Sequence, residues 1–464
     1  MVTGAKGTLL ATAVLVLLAG ACSSSSSEDG DGVVAGSSAV TTSIEPSSGG
    51  PQSSTTVAED PSTTPAPLVA SYRGVTADRI SIAIPIVDEA SILRDFSVEL
   101  KWGDQRAKYQ LVVDEINAAG GVLGRRIEPT FIEYVPVTQD NTDQVCLEAT
   151  EDLGVFAVVG FIRPDAGVLC FTELNDTPFF GGGDVPSTET RQRSLVPALY
   201  PAAATARTDE ALVEVMEQRG ELAGRTLAVH GRDQGRLDAL EAALAERGYQ
   251  ATTRTVLDAP ETDALEMATQ LDVIVERWNA DEIDLVLNAT TNISMLSAVN
   301  RAGLEIDVAT TSTDVALGPD AVFGQGATEA EVARVTLVSR ASPRTSYESG
   351  HPLTVECVDR WNDARPDEPA VFDPGEDDLE NMSQVIFACQ NLGLFELVAT
   401  AAGGDLTPAT MQAALDGLPE VELAGIERGS LSAEKWDVND AMGVSFWDTA
   451  EQDFVASDEV YDIG

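Results

Sequence analysis

The order of short apolar runs and longer amphipathic runs is the feature that most restricts the fold of this chain. Residues 80–87, 126–134, 155–160 and 178–180 have the composition of strands, and segments with helical spacing separate them. Residues 88–103 are expected to form a loop before the first helix, and the glycines at 181–183 are expected to end the fourth strand. Parallel strands need a crossover of about a dozen residues, which a helix supplies. The alternation therefore predicts an α/β fold in which helices cover both faces of a parallel sheet.

A second alternating series begins near Thr208 and predicts a second sheet. A helical region and two short strands follow it, and 464 residues are enough for two such units. The predicted strands of this series are 226–230, 251–256, 284–288 and 307–311. The two short strands that follow the helical region are 443–447 and 453–455. The predicted late helices are 353–364, 379–402 and 407–418.

The first 22 residues have the pattern of a bacterial export signal. Lys6 precedes an apolar run over residues 9–18, and the run ends in Leu-Ala-Gly-Ala before Cys22. Small residues before a cysteine resemble a lipobox, so we expect Cys22 to carry a lipid on the outer face of the bacterial cell membrane. The alternative is an ordinary cleaved signal with a chance cysteine. Residues 23–72 are rich in Ser, Thr and Pro and predict a disordered tether.

The balance of charge restricts the partners of the chain. Asp and Glu number 76 against 28 Lys and Arg, which gives a net charge of −48. Nucleic acid and anionic membrane surfaces bind positive charge, so neither is expected as a partner, and contact with the membrane is expected only through the N-terminal lipid. The acids are scattered, which favours a solubilising surface over a cation-binding site.

The remaining cysteines suit an exported protein. Four allow three pairings, and proximity in sequence favours neighbouring partners, although free buried cysteines are the alternative. The favoured pairs are Cys146–Cys170 and Cys357–Cys389. The sequence has no CxxC and only two histidines, His230 and His351, so we expect no zinc site.

One stretch resembles a known family. Residues 115–127 read EINAAGGVLGRRI, which is similar to the signature of type I periplasmic binding proteins of the branched-chain amino-acid transporter group. Weaker similarities follow in order at 158–160, 300–304 and 401–410. The resemblance spans roughly residues 76–464.

The resemblance implies two doubly wound, Rossmann-like lobes that are joined by three crossover strands and close on a ligand. By analogy, the first lobe comprises residues 76–203 plus 341–420. The second lobe comprises residues 204–340 plus 421–464. The physical reading of residues 109–126 is a helix, a glycine cap and a turn into a strand.

Ligands of open α/β sheets bind at the carboxyl ends of the strands, which selects the candidate ligand-binding residues. They are Asp88, Arg163, Asp165, Gly182, Gly183, Asp184, Gln234, Asn288, Thr290 and Asp314. Arg163 could hold an anion as a bidentate fork or could pair with Asp165. Gly182 and Gly183 are expected to be small so that backbone amides reach the ligand.

These loops differ from the family pattern. Phe-Ile-Arg-Pro-Asp follows Gly160 where the family has small hydroxyl residues, and Gly-Gly-Gly-Asp follows Phe180 where it has Ser-Pro-Gly-Ala-Thr. Gln234 stands where a tyrosine is common. These differences bear on whether the ligand is an amino acid.

Motifs of catalysis do not occur in this sequence. GxSxG, Walker A, HExxH and a complete EF-hand are all missing. His230 ends a strand and could act as a general base, but a lone histidine without a nucleophile is more often structural. We therefore expect no enzymatic activity and no cofactor.

The expected function is that of a monomeric, lipid-anchored substrate-binding protein of an ABC importer. It would capture a small polar solute, an amino acid or a related compound, by hinge closure and present it to a permease with its ATPase subunits. The alternatives are a lipid-anchored ligand sensor of the same fold and a lipid-anchored α/β hydrolase.

Overall fold

A computed structural model describes residues 68–96, 99–183, 187–260, 263–290, 294–311, 323, 326–340, 343–372 and 379–464. The predicted signal, the lipidation of Cys22 and the tether up to residue 67 lie outside these residues and stay predictions. So do the candidate ligand residues Asp184 and Asp314.

The first sheet has five strands, and all of them are parallel. In chain order they are β1 Arg79–Val87, β2 Arg126–Tyr134, β3 Ala157–Ile162, β4 Phe179–Gly183 and β5 Ala198–Leu199. Their spatial order is β2-β1-β3-β4-β5. The chain moves outward from β1 in both directions, which is the doubly wound arrangement that the alternating pattern predicted.

The second sheet has seven strands and combines two distant parts of the chain. Its strands are β6 Leu227–Gly231, β7 Thr253–Val256, β8 Leu285–Asn288, β9 Asp307–Thr310, β10 Val335–Ser339, β11 Ala441–Asp448 and β12 Asp453–Asp462. Their order is β12-β11-β10-β9-β8-β6-β7. Strands β6 to β10 pair in parallel, whereas β11 is antiparallel to both of its neighbours.

Helices follow most strands, and short polar side chains cap several of them. Asp104, Asp233 and Asp263 each accept a hydrogen bond from the backbone three residues on, which fixes where a helix begins. In chain order the α-helices are α1 Glu89–Phe96, α2 Gln105–Ala118, α3 Gln139–Leu147, α4 Thr188–Arg193, α5 Thr205–Gln218, α6 Gln234–Glu246, α7 Ala264–Ala280, α8 Met295–Ala302, α9 Glu329–Val332, α10 Pro343–Glu348, α11 Pro352–Ala364, α12 Leu379–Ala402 and α13 Pro408–Ala414.

Two stretches differ from the sequence prediction. The loop predicted over 88–103 contains α1, an eight-residue helix that Asp88 starts. The glycines predicted to end β4 belong to it instead, because Gly181, Gly182 and Gly183 pair with residues 160–162 of β3. Glycine is a poor strand former in isolation, so its pairing here reflects the neighbouring strand rather than local propensity.

Each sheet has its own apolar core. The first core combines residues of β1 to β5 with residues of α12 and the segment 421–438. The apolar residues that pack on the second sheet come from α5 to α9, and residues of β11 and β12 pack with them. Residues 421–438 therefore pack with the first sheet, whereas the lobe division drawn from the resemblance, which stays a prediction, gave them to the second lobe.

Helix α12 is long and apolar enough to cross a membrane by length and composition. It packs instead against β3, β4, α2 and α13, and more than half of its apolar window is buried. Its apolar composition is that of a helix surrounded by protein.

The turn after α2 confirms the predicted helix, cap and strand. A Cβ at Gly121, where φ is +70°, would lie 2.1 Å from the carbonyl oxygen of Arg125, so this position excludes other residues. The fully buried guanidinium of Arg125 donates hydrogen bonds to the carbonyls of Thr76, Val69 and Gly404. The signature stretch thus joins the start of β1 to the end of α12.

Both predicted disulfides are present. Cys146 of α3 pairs with Cys170, and Cys357 of α11 pairs with Cys389 of α12. Each bond joins two helical segments that are close in sequence, as predicted.

Candidate functional site

The carboxyl ends of β1, β3 and β4 form one edge of the first sheet, where most of the predicted ligand residues lie. Asp88 follows β1, and its carboxylate accepts hydrogen bonds from the backbone N–H and the hydroxyl of Ser91. These hydrogen bonds lower the pKa of Asp88. Asp88 is therefore the N-terminal cap of α1.

Arg163 and Asp165 follow β3 and have different surroundings. The backbone of Arg163 is fixed on both sides, by Tyr134 and by Thr142. Asp165 is buried, and its carboxylate accepts hydrogen bonds from the hydroxyls of Tyr200 and Thr190 and from the N–H of Ser187. Asp165 therefore braces the ends of β5 and α4 beside the first sheet.

The glycines of β4 have different surroundings, and close packing requires only one of the two compared here. At Gly181, where φ is +149°, a Cβ would lie 2.1 Å from the carbonyl oxygen of Gly160. At Gly182 a Cβ would have no atom within 4 Å. The close approach of β3 and β4 requires Gly181, while Gly182 faces open space at the strand end. The expectation that Gly182 and Gly183 admit a ligand to the backbone stays a prediction.

In the second sheet, Asn288 and Thr290 tie two strand ends together. The Asn288 side chain is fully buried; its oxygen accepts from the N–H and hydroxyl of Thr290, and its amide donates to the hydroxyl of Thr310 at 3.1 Å. All of these groups lie at the carboxyl ends of β8 and β9. The hydrogen bonds satisfy the Asn288 oxygen twice, which points to a structural role.

Gln234 lies at the exposed start of α6. Its side-chain oxygen accepts a hydrogen bond from Arg254 at 2.6 Å, and Arg254 also pairs with Asp238 and Glu241. Gln234 thus belongs to a surface ion-pair network of α6.

His230 is a buried residue of β6. Its Nδ1 shares a hydrogen bond with the hydroxyl of Thr255 at 3.0 Å, and its ring meets the edge of Trp278. Burial lowers the pKa of His230 to about 4, and its Nε2 has no hydrogen-bond partner among the residues that the structure describes. A neutral histidine enclosed in the core suits the structural interpretation better than that of a general base.

Aromatic side chains line the edge of the first sheet beyond β3. The ring of Trp102 meets the ring of Phe161 edge to face at 5.3 Å, and both are partly exposed. Trp102 is held by the buried Lys108, which donates to its carbonyl and to the carbonyl and side chain of Asn381 on α12. The contacts therefore connect this aromatic pair to the start of α12.

Sequence reasoning missed Arg340, which follows β10 at the carboxyl edge of the second sheet. Its guanidinium lies over the ring of Phe387 of α12, 5.6 Å from the ring centre. Arg340 is half-buried, and burial lowers its pKa. No sequence motif marks this residue; its position at a predicted strand end was the signal available.

The chain passes between the two sheets three times, after β5, after β10 and before β11. The first and third passages are joined directly, since the N–H of Val438 donates to the carbonyl of Tyr200 and the N–H of Tyr200 donates to the carbonyl of Trp436. Arg207 binds both Asp437 and Asp440 across this junction. These contacts hold the first and third crossings together at one junction.

A groove of about 660 Å³ lies away from these strand ends, between α2, α11 and α12. Its lining includes apolar side chains and Glu396, whose pKa is raised by burial. None of the predicted ligand residues lines it. Within the part of the chain that the structure describes, no group of three or more metal-ligating side chains occurs.

Comparison with known proteins decides the family. The family model described as periplasmic binding protein matches residues 102–444, which is well over half of the chain. The chain belongs to the periplasmic binding protein family. This confirms the predicted family, the α/β fold class and, at the level of the family, the substrate-binding role. The family is one of binding proteins rather than enzymes.

Solved structures of other periplasmic binding proteins share the fold. An ABC transporter substrate-binding protein from Desulfitobacterium hafniense is 13% identical, with a TM-score of 0.57 over 82% of this chain and 100% of that one. A solute binding protein of an ABC transporter from Rhodopseudomonas palustris HaA2, in complex with p-hydroxybenzoic acid, is 13% identical, with a TM-score of 0.57 over 83% and 98%.

A putative branched-chain amino acid ABC transporter from Rhodospirillum rubrum is 15% identical, with a TM-score of 0.56 over 82% of this chain and 99% of that one. A search of curated protein sequences gave no match. At these identities the structural similarity concerns the fold, and the ligands belong to the other proteins.

Proposed function

We propose that this protein is the extracytoplasmic substrate-binding component of an ABC importer, and that it captures a small solute between its two sheets. The observation that carries the proposal is the passage of the chain between a parallel sheet and a mostly parallel one, with the first and third crossings bonded together. Ligands of such sheets bind at the carboxyl ends of the strands, and the crossings let both edges close on one solute.

The relatives support a transport role. These proteins are named as ABC transporter components, and the ligand of one of them is p-hydroxybenzoic acid. We infer partners of three kinds for this chain: the solute, a permease and its ATPase subunits. Attachment through a lipid on Cys22, with residues 23–72 as a tether, would keep a monomeric protein near the permease.

A thermal-shift screen of amino acids, sugars and small organic acids tests the proposal. A solute that binds only the folded state raises the melting temperature by mass action. At a free solute concentration of one hundred times Kd, it adds about 2.7 kcal/mol to the free energy of unfolding. Recovery of the bound solute chemically unchanged after long incubation separates a binding protein from a hydrolase. Turnover of the solute, or no shift with any compound class, would contradict the proposal.

A Cys22→Ser variant tests the anchor. In the native host we expect the unsubstituted protein to partition into detergent and the variant to remain in the aqueous phase. Equal partitioning of the two would show that Cys22 carries no lipid.

A further inference from the structure

The groove between α2, α11 and α12 (the helical groove) receives one stripe of side chains from each of three helices. On α12 the lining runs from Cys389 to Ala401, which is about 18 Å at the rise of about 1.5 Å per helical residue. On α2 the lining residues have the i, i+3, i+4, i+7 spacing of one helix face, and α11 repeats this spacing from Leu353 to Arg360. The residues of α2 are Val112, Glu115, Ile116 and Ala119. Three helix faces thus surround the groove, and a fourth helix would complete their packing.

Direct bonds join each pair of these helices. The second disulfide connects α11 to α12. Asn391 of α12 donates a hydrogen bond to the hydroxyl of Tyr109 of α2 at 2.9 Å. Arg360 of α11 pairs with Glu115 of α2 at 2.6 Å. Because every wall is tied to the other two, the groove of about 660 Å³ does not close by movement of one helix alone.

Apolar side chains form most of the lining of the helical groove. Val112, Ile116 and Leu423 are buried at its base, whereas Leu353 and Leu397 are partly exposed at its sides. Contact of water with apolar surface costs free energy, and an occupant that displaces the water recovers it. The lining therefore favours an occupant with an apolar face.

The charged residues of the lining determine the charge of the occupant. Four glutamates line the groove against one arginine. Arg360 already pairs with Glu115 at 2.6 Å and with Glu356 at 2.7 Å. Glu396, which is partly buried on α12, forms no ion pair with any residue that the structure describes, and burial raises its pKa. A lysine or arginine of an occupant would supply the counter-charge of this carboxylate.

The negative charge of the groove disfavours three possible occupants. A second copy of this chain carries the same net charge of −48, and residues 23–72 contain six acidic residues and no basic one. An anionic membrane surface is negative as well. The glutamates repel all three, whereas a basic amphipathic helix brings an apolar face together with cations.

We propose that the helical groove is a docking site for a basic amphipathic helix of a partner protein. Apolar side chains of that helix at i, i+3, i+4 and i+7 pack between α2, α11 and α12, and a lysine or arginine beside them pairs with Glu396. The groove lies away from the strand ends, so this docking site does not depend on which solute the protein binds.

Fluorescence anisotropy of a labelled model peptide with the full-length protein tests the proposal. The probe is a peptide of about fourteen residues of Leu and Lys with its leucines at helical spacing. One control peptide carries Glu in place of Lys, and the other has the residues of the probe in a scrambled order. We expect the probe to bind at least about tenfold more tightly than either control. Equal binding of the scrambled peptide would show unspecific attraction to an acidic protein and would overturn the proposal.

Two variants locate the binding. Glu396→Gln should weaken binding of the probe about fivefold, whereas Glu276→Gln removes an exposed charge of α7 and should leave it unchanged. Gly393→Leu should weaken binding at least about tenfold, because the new side chain occupies the groove. A Cβ at Gly393 would lie 3.4 Å from Cδ2 of Leu423, and replacement of a glycine within a helix favours the helix. Gly393→Leu should therefore retain the melting temperature of the unsubstituted protein.

Two further outcomes would overturn the proposal. If Glu396→Gln and Gly393→Leu bound the probe as tightly as the unsubstituted protein does, the probe would bind elsewhere. If sedimentation showed a dimer of the unsubstituted protein that Gly393→Leu abolished, a second copy of the chain would be the occupant of the groove.

Discussion

The approach of β3 to β4 gives a sharp test of the structure. Gly181 has a φ of +149°, and a Cβ there would lie 2.1 Å from the oxygen, 2.8 Å from the carbon and 3.0 Å from the nitrogen of Gly160. These are backbone atoms of Gly160, which cannot rotate away from an added methyl group as a side chain could. Gly181→Ala must separate the two strands or distort both.

The magnitude follows from two contributions. Overpacking in a rigid interior costs about 1–3 kcal/mol, and an unfavourable backbone conformation about 1–3 kcal/mol more. We expect Gly181→Ala to lower the free energy of unfolding by about 3–5 kcal/mol. That is a large fraction of the roughly 5–15 kcal/mol typical of a folded protein.

The control is the next residue in the same strand. Gly182 has no atom within 4 Å of an added Cβ, so Gly182→Ala should change stability by less than about 1 kcal/mol. Guanidinium unfolding followed by circular dichroism gives the midpoints of both variants. Similar midpoints for Gly181→Ala and the unsubstituted protein would refute the close approach of β3 and β4. Equal losses in the two variants would show that the space around Gly182 is misjudged.

Three further predictions concern buried polar groups. Because the pKa of His230 is lowered from 6.5 to about 4, the unfolded chain takes up this proton first as pH falls. Stability should therefore drop by at most about 3 kcal/mol between pH 6.5 and pH 4, and His230→Phe should remove this component from acid unfolding curves. Arg125→Ala should lower stability by about 3 kcal/mol in denaturant unfolding because three carbonyls lose their donor, while the exposed Arg126→Ala should change it by less than about 0.5 kcal/mol. Asn288→Ala should cost about 1–3 kcal/mol and speed amide exchange in β8, since two threonine side chains lose a partner.

Strand and helix periodicity predicted much of the fold because the apolar pattern is local. The helix over 379–402, the strand over 126–134 and the turn at Gly121 all follow from residues close in sequence. Propensity failed at Gly181 to Gly183, because a neighbouring strand decides their conformation. Propensity does not assign residues 421–438 to either sheet, because their packing with the first core depends on contacts far away along the chain.

The candidate site was harder to predict for a physical reason. The rule about strand ends selected one edge of each sheet, but it could not tell which polar side chains there are already engaged. Asp165 is engaged by Ser187, Thr190 and Tyr200 beside the first sheet, and Asn288 is engaged by Thr290 and Thr310 in the second. Arg340 follows a strand without any motif, and only the structure places it over the ring of Phe387.

Closure of the two sheets on a solute is the claim on which this account depends most. Small-angle X-ray scattering of the protein with and without a saturating concentration of the solute that gives the largest thermal shift measures it directly. The account predicts a smaller radius of gyration in the bound protein, with the solute unchanged. Saturation without any change in the radius of gyration would contradict it.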